Sequence, residues 1–373
     1  MTIPYLDEFR DGKLARVIAA NIAAAVQPGR SYRLMEFCGG HTHAIFRYGV
    51  QDLLPPAVEL IHGPGCPVCV LPVGRIDNAI ELARRPEVIL ASYADMLRVP
   101  ASGYMSLLKA KAQGADVRMV YAASDALKLA QDNPPREVVF FAIGFETTTP
   151  PTALVIQQAA RLGLRNFTVF CNHVLTPPAM HAIMASGDGA VAGFIGPSHV
   201  STVIGTAAYE AFVAQHGKPV VIAGFEPLDV LQAVLMLVRQ INDGRAQVEN
   251  EYSRAVTPAG NAKAQAAMAD VFEMRETFEW RGLGLLPASA LRIRERYAAF
   301  DAERRFGVTP VAVADHKACE CGAILRGAKK PQECKVFGTV CTPDNPIGAC
   351  MVSSEGACAA YYSYGRSTAT TSP

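Results

Sequence analysis

The chain has 373 residues, half of them hydrophobic and 18% charged, with a formal net charge of +1. That length suits two or three domains with ample core, and a near-neutral chain with no basic run longer than three residues does not suit a nucleic-acid partner. No apolar stretch approaches the roughly eighteen residues of a membrane span. The opening MTIPYLDEF lacks the basic and apolar regions of a secretion signal, so the expected location is cytoplasmic. Thiols stay reduced there, which disfavours structural disulfides and favours metal.

Apolar runs at residues 32–37, 58–61, 88–91, 117–121, 138–143, 167–171, 191–195 and 220–223 read as strands. Amphipathic stretches at 74–85, 106–113, 151–162 and 178–186 read as helices. The alternation indicates βαβ units, parallel sheets and an α/β fold. A run apolar throughout, such as VVFFAI, suits a strand covered on both faces. The break at Asn133-Pro134-Pro135 divides a first α/β lobe (1–133) from a second (134–240), with one long doubly wound sheet as the alternative. After Gln240 the pattern turns helical and more charged, and from Ala318 it is rich in Gly, Pro and Cys. Residues 241–373 therefore read as a third module organised around a metal, on which the N-terminal helix is expected to pack. The closing SYGRSTATTSP reads as a disordered end.

Chemistry concentrates at predicted strand ends. Cys38-Gly39-Gly40-His41-Thr42-His43 follows the strand YRLMEF and opens a helical segment. A cysteine at the carboxyl end of a parallel strand, facing a helix N-terminus, sits where α/β folds place their sites. The helix dipole predicts a lowered pKa and a partly ionised Cys38, a nucleophile or soft-metal ligand. Glycines allow close approach to the backbone. His41 and His43 could each supply an imidazole, but two residues apart on a helix they point to different sides. A buried cysteine in a tight turn, with histidines as caps, is the plain structural alternative.

His62-Gly63-Pro64-Gly65-Cys66-Pro67-Val68-Cys69 repeats this placement, and its C-x-x-C pair either closes a reversible disulfide or offers two thiolates to a metal. Without a second C-x-x-C knuckle, the dithiol reading is the stronger. Gly144-Phe145-Glu146-Thr147-Thr148-Thr149-Pro150 also closes an apolar run, with Thr148 or Thr149 as a natural N-cap. Its threonines and amides could hold a small anion or position a carboxylate. A well-capped helix accounts for the threonines but not for Glu146. Gly224-Phe225-Glu226 echoes its first three residues. Weaker candidates are Cys171-Asn172-His173, with Cys171 read as core, and Gly196-Pro197-Ser198-His199. Neither a Walker A loop nor a G-x-G-x-x-G is present.

Six of the ten cysteines fall in the last fifty-five residues: Cys319, Cys321, Cys334, Cys341, Cys350 and Cys358. Disulfides, zinc and an iron–sulfur cluster are the competing readings. Wide gaps and many thiols favour a cluster held by four cysteines over zinc, which usually takes tight pairs on two knuckles.

The strings MEFCGGHTHAIFRYG, HGPGCPVCV, GFETTTP and the cysteine-rich tail closely resemble the HypD family of [NiFe]-hydrogenase maturation proteins, in order and from about Met35 to Tyr362. The resemblance implies two Rossmann-like lobes around a cleft plus a C-terminal domain carrying a [4Fe–4S] cluster. It implies a scaffold on which the Fe(CN)2CO centre is built, with the iron shared by a HypC-type chaperone. A HypE-type donor, charged by HypF, would deliver cyanide. The family's C-x14-C-x6-C-x16-C cluster motif is met by Cys319, Cys334, Cys341 and Cys358, with Cys321 the rival for the first ligand. Cys38 matches the iron-anchoring cysteine, His41 a possible helper, and Cys66 and Cys69 the redox pair. Glu146, Thr147 and Thr148 would line the cleft. A cluster-dependent protein disulfide reductase is the competing function.

Overall fold

The computed structural model describes residues 7–188 and 190–365. All eight expected strands form: β1 (Tyr32–Glu36), β2 (Val58–His62), β3 (Val88–Ser92), β4 (Val117–Met119), β5 (Glu137–Gly144), β6 (Phe167–His173), β7 (Gly193–Gly196) and β8 (Val220–Ile222). A ninth, β9 (Val248–Asn250), joins them. They make two parallel sheets of Rossmann-like α/β character, ordered β2-β1-β7-β8-β9 and β4-β3-β5-β6. The interior strands β3 and β7, and also β6 at the edge of its sheet, are buried along their whole length, as coverage of both faces requires.

Sheet membership differs from the contiguous division at Asn133. The chain leaves the first sheet after β2, completes the second with β3 to β6, and returns with β7. A break in local pattern marks a loop; which strands pair is decided by contacts distant in sequence. The N-terminal helix Gly12–Ala25 packs on the helix Pro227–Asn242, not on the cysteine-rich segment. Asn242 fixes that packing: its amide donates to the Ala25 carbonyl at 2.7 Å and accepts from the Tyr32 hydroxyl at 2.6 Å. Asp11 caps the same helix by accepting from Lys13 and Leu14 N–H.

Beyond β9 the expected helical region contains two helices with side-chain caps, Ala262–Val271 capped by Asn261 and the short Ala302–Phe306 capped by Asp301. It also contains two antiparallel ribbons: β10 (Phe272–Met274) with β13 (Leu291–Ile293), and β11 (Thr277–Trp280) with β12 (Gly284–Pro287). Short aromatic runs such as TFEW favour strand, and Gly282 and Gly284, at φ 79° and 78°, turn the second ribbon. From Ala318 the backbone is irregular, as expected, with short helices at Cys321–Leu325 and Ala357–Tyr364. The expected disordered end lies, from residue 366, outside the described residues. Among the described residues no helix is long and apolar enough to cross a membrane.

Candidate functional site

Cys38 stands where the sequence puts it: immediately after β1, as N-cap of the helix Gly39–Arg47. Its surroundings are tight. A Cβ on Gly65 would strike the main chain of Phe37 and Cys38, and one on Gly40 the Phe225 ring. Gly39 N–H donates to the Gly65 carbonyl at 3.1 Å, locking CGGHTH to the GPGC loop. The anchor beneath is Glu36, fully buried at the end of β1. Its carboxylate accepts from Cys38 N–H at 2.9 Å, His62 Nδ1 at 2.8 Å and the Thr42 hydroxyl. Neither Glu36 nor His62 was singled out from sequence. The available signal was a carboxylate near the end of a predicted parallel strand, two residues before Cys38.

The expected low pKa at Cys38 is not found. Burial pushes the thiol up, with Glu355 and Glu36 adding to the effect and N–H groups of the following turn only partly opposing it. Desolvation and two carboxylates outweigh the dipole of a nine-residue helix. His41 turns its Nε2 to the β8 end of the sheet, toward Ala223, Gly224 and Ser198. Its Nε2 lies 2.9 Å from the Gly224 carbonyl and 3.1 Å from the Ser198 hydroxyl, and burial lowers its pKa, so the ring is neutral. The echo motif and Gly196-Pro197-Ser198-His199 thus meet the first motif: Phe225 rests on His41 and, at 4.4 Å, on His199. His43 points elsewhere, its ring edge-on to Tyr364.

Cys66 caps a short helix, Pro67–Val70, and its sulfur accepts from Cys69 N–H at 3.3 Å. Both thiols are free and buried. Burial, then Cys66, raises the Cys69 pKa well above the ordinary thiol range, and Cys358 and Glu355 contribute. The Cys69 thiol faces the Ala349 carbonyl at 4.0 Å, so the dithiol abuts the cysteine-rich segment.

Glu146 is buried and bonded to the next helix, Thr176–Ser186. Thr176 N–H and hydroxyl donate to its two oxygens at 2.9 and 3.0 Å. With no cation to offset burial, its pKa rises to about 7. Thr148 is the N-cap of the helix Thr149–Arg161, but its hydroxyl, like that of Thr149, donates backward to main-chain carbonyls. Gly144, at φ 148°, leaves the space the Thr148 hydroxyl fills. Thr147 is half-buried. The first and third motifs face a common neighbour, Tyr209, whose buried hydroxyl is influenced by both Glu146 and Cys38. Cys171, as read, is core, and its thiol donates to the Leu291 carbonyl.

In the C-terminal segment Cys321 and Cys350 form a disulfide, against the expectation of reduced thiols throughout. Their Cα atoms lie 6.2 Å apart, close enough for packing alone to bring the sulfurs together. Cys319, Cys334, Cys341 and Cys358 remain free. Burial raises the Cys358 pKa, and the other three thiols raise it further, so the four are neighbours. Ile347 N–H donates to the Cys341 sulfur at 3.4 Å. Among the described residues, no three His, Cys, Asp or Glu side chains gather tightly enough for a single metal ion.

The sequence profile described as the hydrogenase formation hypA family, HypD, matches residues 13–365. The chain is 70% identical over 367 residues to the hydrogenase expression/formation protein HupD of Azotobacter chroococcum, covering 97% of each chain. It is equally similar, 70% with the same coverage, to the hydrogenase maturation factor HypD of Azotobacter vinelandii. The Escherichia coli factor HypD is 52% identical, with 90% of each chain covered. Matches of this extent, over a chain whose CGGHTH, C-x-x-C and GFETTTP motifs stand at the ends of parallel strands, make this protein a member of the HypD family of hydrogenase maturation factors.

Proposed function

We propose that this chain is a cytoplasmic scaffold for assembly of the Fe(CN)2CO centre of [NiFe]-hydrogenases. Cys38 holds the iron substrate from this side, and a cysteine of a HypC-type chaperone holds it from the other. A HypE-type donor, supplied by HypF, delivers the cyanide. The observation that carries the reading is the convergence of three thiol systems: Cys38 rests on Gly65, which leads into Cys66 and Cys69, and Cys69 lies within the field of Cys358. A half-buried thiol with a raised pKa is a poor free nucleophile. It becomes a strong ligand once Fe(II) displaces its proton and neutralises the nearby carboxylates. Soft thiolate suits iron that back-donates to CO and cyanide. Glu36 fixes the Cys38 backbone, while Glu146, Thr147 and Thr148 shape the neighbouring strand ends.

Cys319, Cys334, Cys341 and Cys358 are the residues that would hold a [4Fe–4S] cluster. Four neighbouring thiols, mostly buried, with a main-chain N–H on one sulfur, fit the donor chemistry of such a group. A four-iron cluster spreads its thiolates wider than a single ion does. Pairing of Cys321 with Cys350 supports the assignment of Cys319 as the first ligand. When bound, the cluster supplies single electrons beside the dithiol. Cys66 and Cys69 close to a disulfide by releasing two electrons and two protons, and reopen by the reverse. A second reading, a cluster-dependent disulfide reductase, is favoured by one observation: Cys350 of the Cys321–Cys350 disulfide directly follows Ala349, which the Cys69 thiol faces.

The test is an infrared spectrum of anaerobically purified protein co-expressed with its HypC-type partner. Bands from two cyanides and one CO are expected, and Cys38→Ala abolishes them while leaving the visible absorption of the cluster. Bands of wild-type intensity in Cys38→Ala would refute the anchoring role. A brown protein with no such bands favours the reductase.

A further inference from the structure

Arg281, between β11 and β12, ties the dithiol to the C-terminal thiols. Its main-chain N–H donates to the Val70 carbonyl at 2.7 Å and its Nε to the Leu71 carbonyl at 3.0 Å. Val70 and Leu71 are the two residues after Cys69. Only 4% of Arg281 is exposed, and its Nη2 is buried without a hydrogen-bond partner among the described residues. Guanidinium carries five N–H donors that it cannot relinquish by deprotonation. A buried, unmatched one costs stability, so such a group calls for an acceptor. Asp315 Oδ1 lies 3.4 Å from Nε.

Arg281 and Cys319 line one small cavity of about 220 Å³, with Asp315, His316, Ile347 and Gly348. A side chain at Gly348 would collide with the Cys319 sulfur, so this wall of the cavity is shaped for sulfur. The cavity thus presents an unmatched cationic donor beside a thiol.

We infer that Arg281 is a hydrogen-bond donor to the sulfur of the cysteine-held cluster, and that it sets the cluster's reduction potential. The inference rests on the cluster proposed above. Reduction adds one negative charge to the cluster, and a buried guanidinium beside it stabilises that charge. Hydrogen bonds to sulfur and solvent exposure are the levers by which a protein moves such potentials. Through Val70 and Leu71 the same residue holds the loop behind Cys69, making it a positioning residue for both redox groups.

Anaerobic potentiometric titration of wild type, Arg281→Met and Arg281→Lys, followed by electron paramagnetic resonance of the reduced cluster, tests this. At a fixed potential, Arg281→Met should show a reduced-to-oxidised ratio at least tenfold lower, a fall of about 59 mV for a one-electron couple. Arg281→Lys keeps the charge but loses the fork, and moves the same way by less. Independently, wild-type protein labelled with ¹⁵N-arginine should show hyperfine coupling between the cluster spin and arginine nitrogen, absent from labelled Arg281→Lys. An unmoved potential in folded, brown Arg281→Met, or no arginine coupling in wild type, overturns the inference. If Arg281→Met does not fold, the labelled wild type decides alone. A colourless wild type overturns the cluster reading and this inference with it.

Discussion

Around Cys38 the backbone is set by parallel strands and by one buried carboxylate, Glu36, with three donors. Around Cys319, Cys334, Cys341 and Cys358 regular structure is sparse, and turns and the Cys321–Cys350 disulfide hold the chain. Strand ends inherit their positions from cores on both faces of a sheet, so the first site is preorganised before any ligand arrives. An irregular, cysteine-rich segment lacks that support and takes much of its order from cross-links and bound metal.

Four experiments would break or sharpen this contrast. The largest effect is expected for Cys341→Ser: loss of essentially all visible iron–sulfur absorption and selective proteolysis near residues 318–365, with the sheets still folded by circular dichroism. Uniform unfolding would show that the segment is not separately ordered. Next, removing the disulfide, which spans 29 residues, by Cys321→Ala with Cys350→Ala should cost about 3–4 kcal/mol in urea titrations. The variant should also lose the wild type's sensitivity to reductant.

The third concerns Glu146, whose pKa is raised from 4.5 to about 7. The native state holds this proton more tightly than the unfolded chain, so the contribution of Glu146 to stability falls as pH rises from about 4.5 through 7. Glu146→Gln removes up to roughly 3 kcal/mol of that penalty. It should therefore gain on wild type between pH 5 and about 8, as read by denaturant titration at each pH. A constant difference across that range would place the Glu146 pKa near its ordinary value. The smallest effect is expected for Glu36→Gln, a loss of roughly 1–3 kcal/mol because an amide cannot match all three donors. Stability is lost without loss of visible absorption, since the damage stays at the Cys38 turn.

Strand identity was legible because apolar runs such as VVFFAI, and runs broken by a single charge such as VELI, are of strand length and alternate with helix-period stretches. Helix starts at Ser106 and at the Pro150-Pro151 step were legible for equally local reasons, a side-chain cap and a proline in the first turn. The ribbons after Asn261 were not. FEM and TFEW are too short to distinguish strand from helix by period, and packing decided them. The GFE echo shows the same limit. Glu146 is buried against Thr176, whereas Glu226 pairs with Arg10 of the N-terminal segment. Identical residues took different environments from neighbours remote in sequence.

The sequence by itself determined the strands, the motifs at their ends and the family, because apolar period, capping and ordered strings such as CGGHTH and C-x-x-C are local properties of the chain. Only the tertiary structure decided which strands share a sheet, that Glu36 and His62 brace the Cys38 turn, and that Cys321 bonds Cys350. It alone set the direction of the Cys38 pKa and placed Arg281 between two thiol systems. Each of these depends on burial and on partners far away in the chain, and burial is a property that no short stretch of sequence possesses.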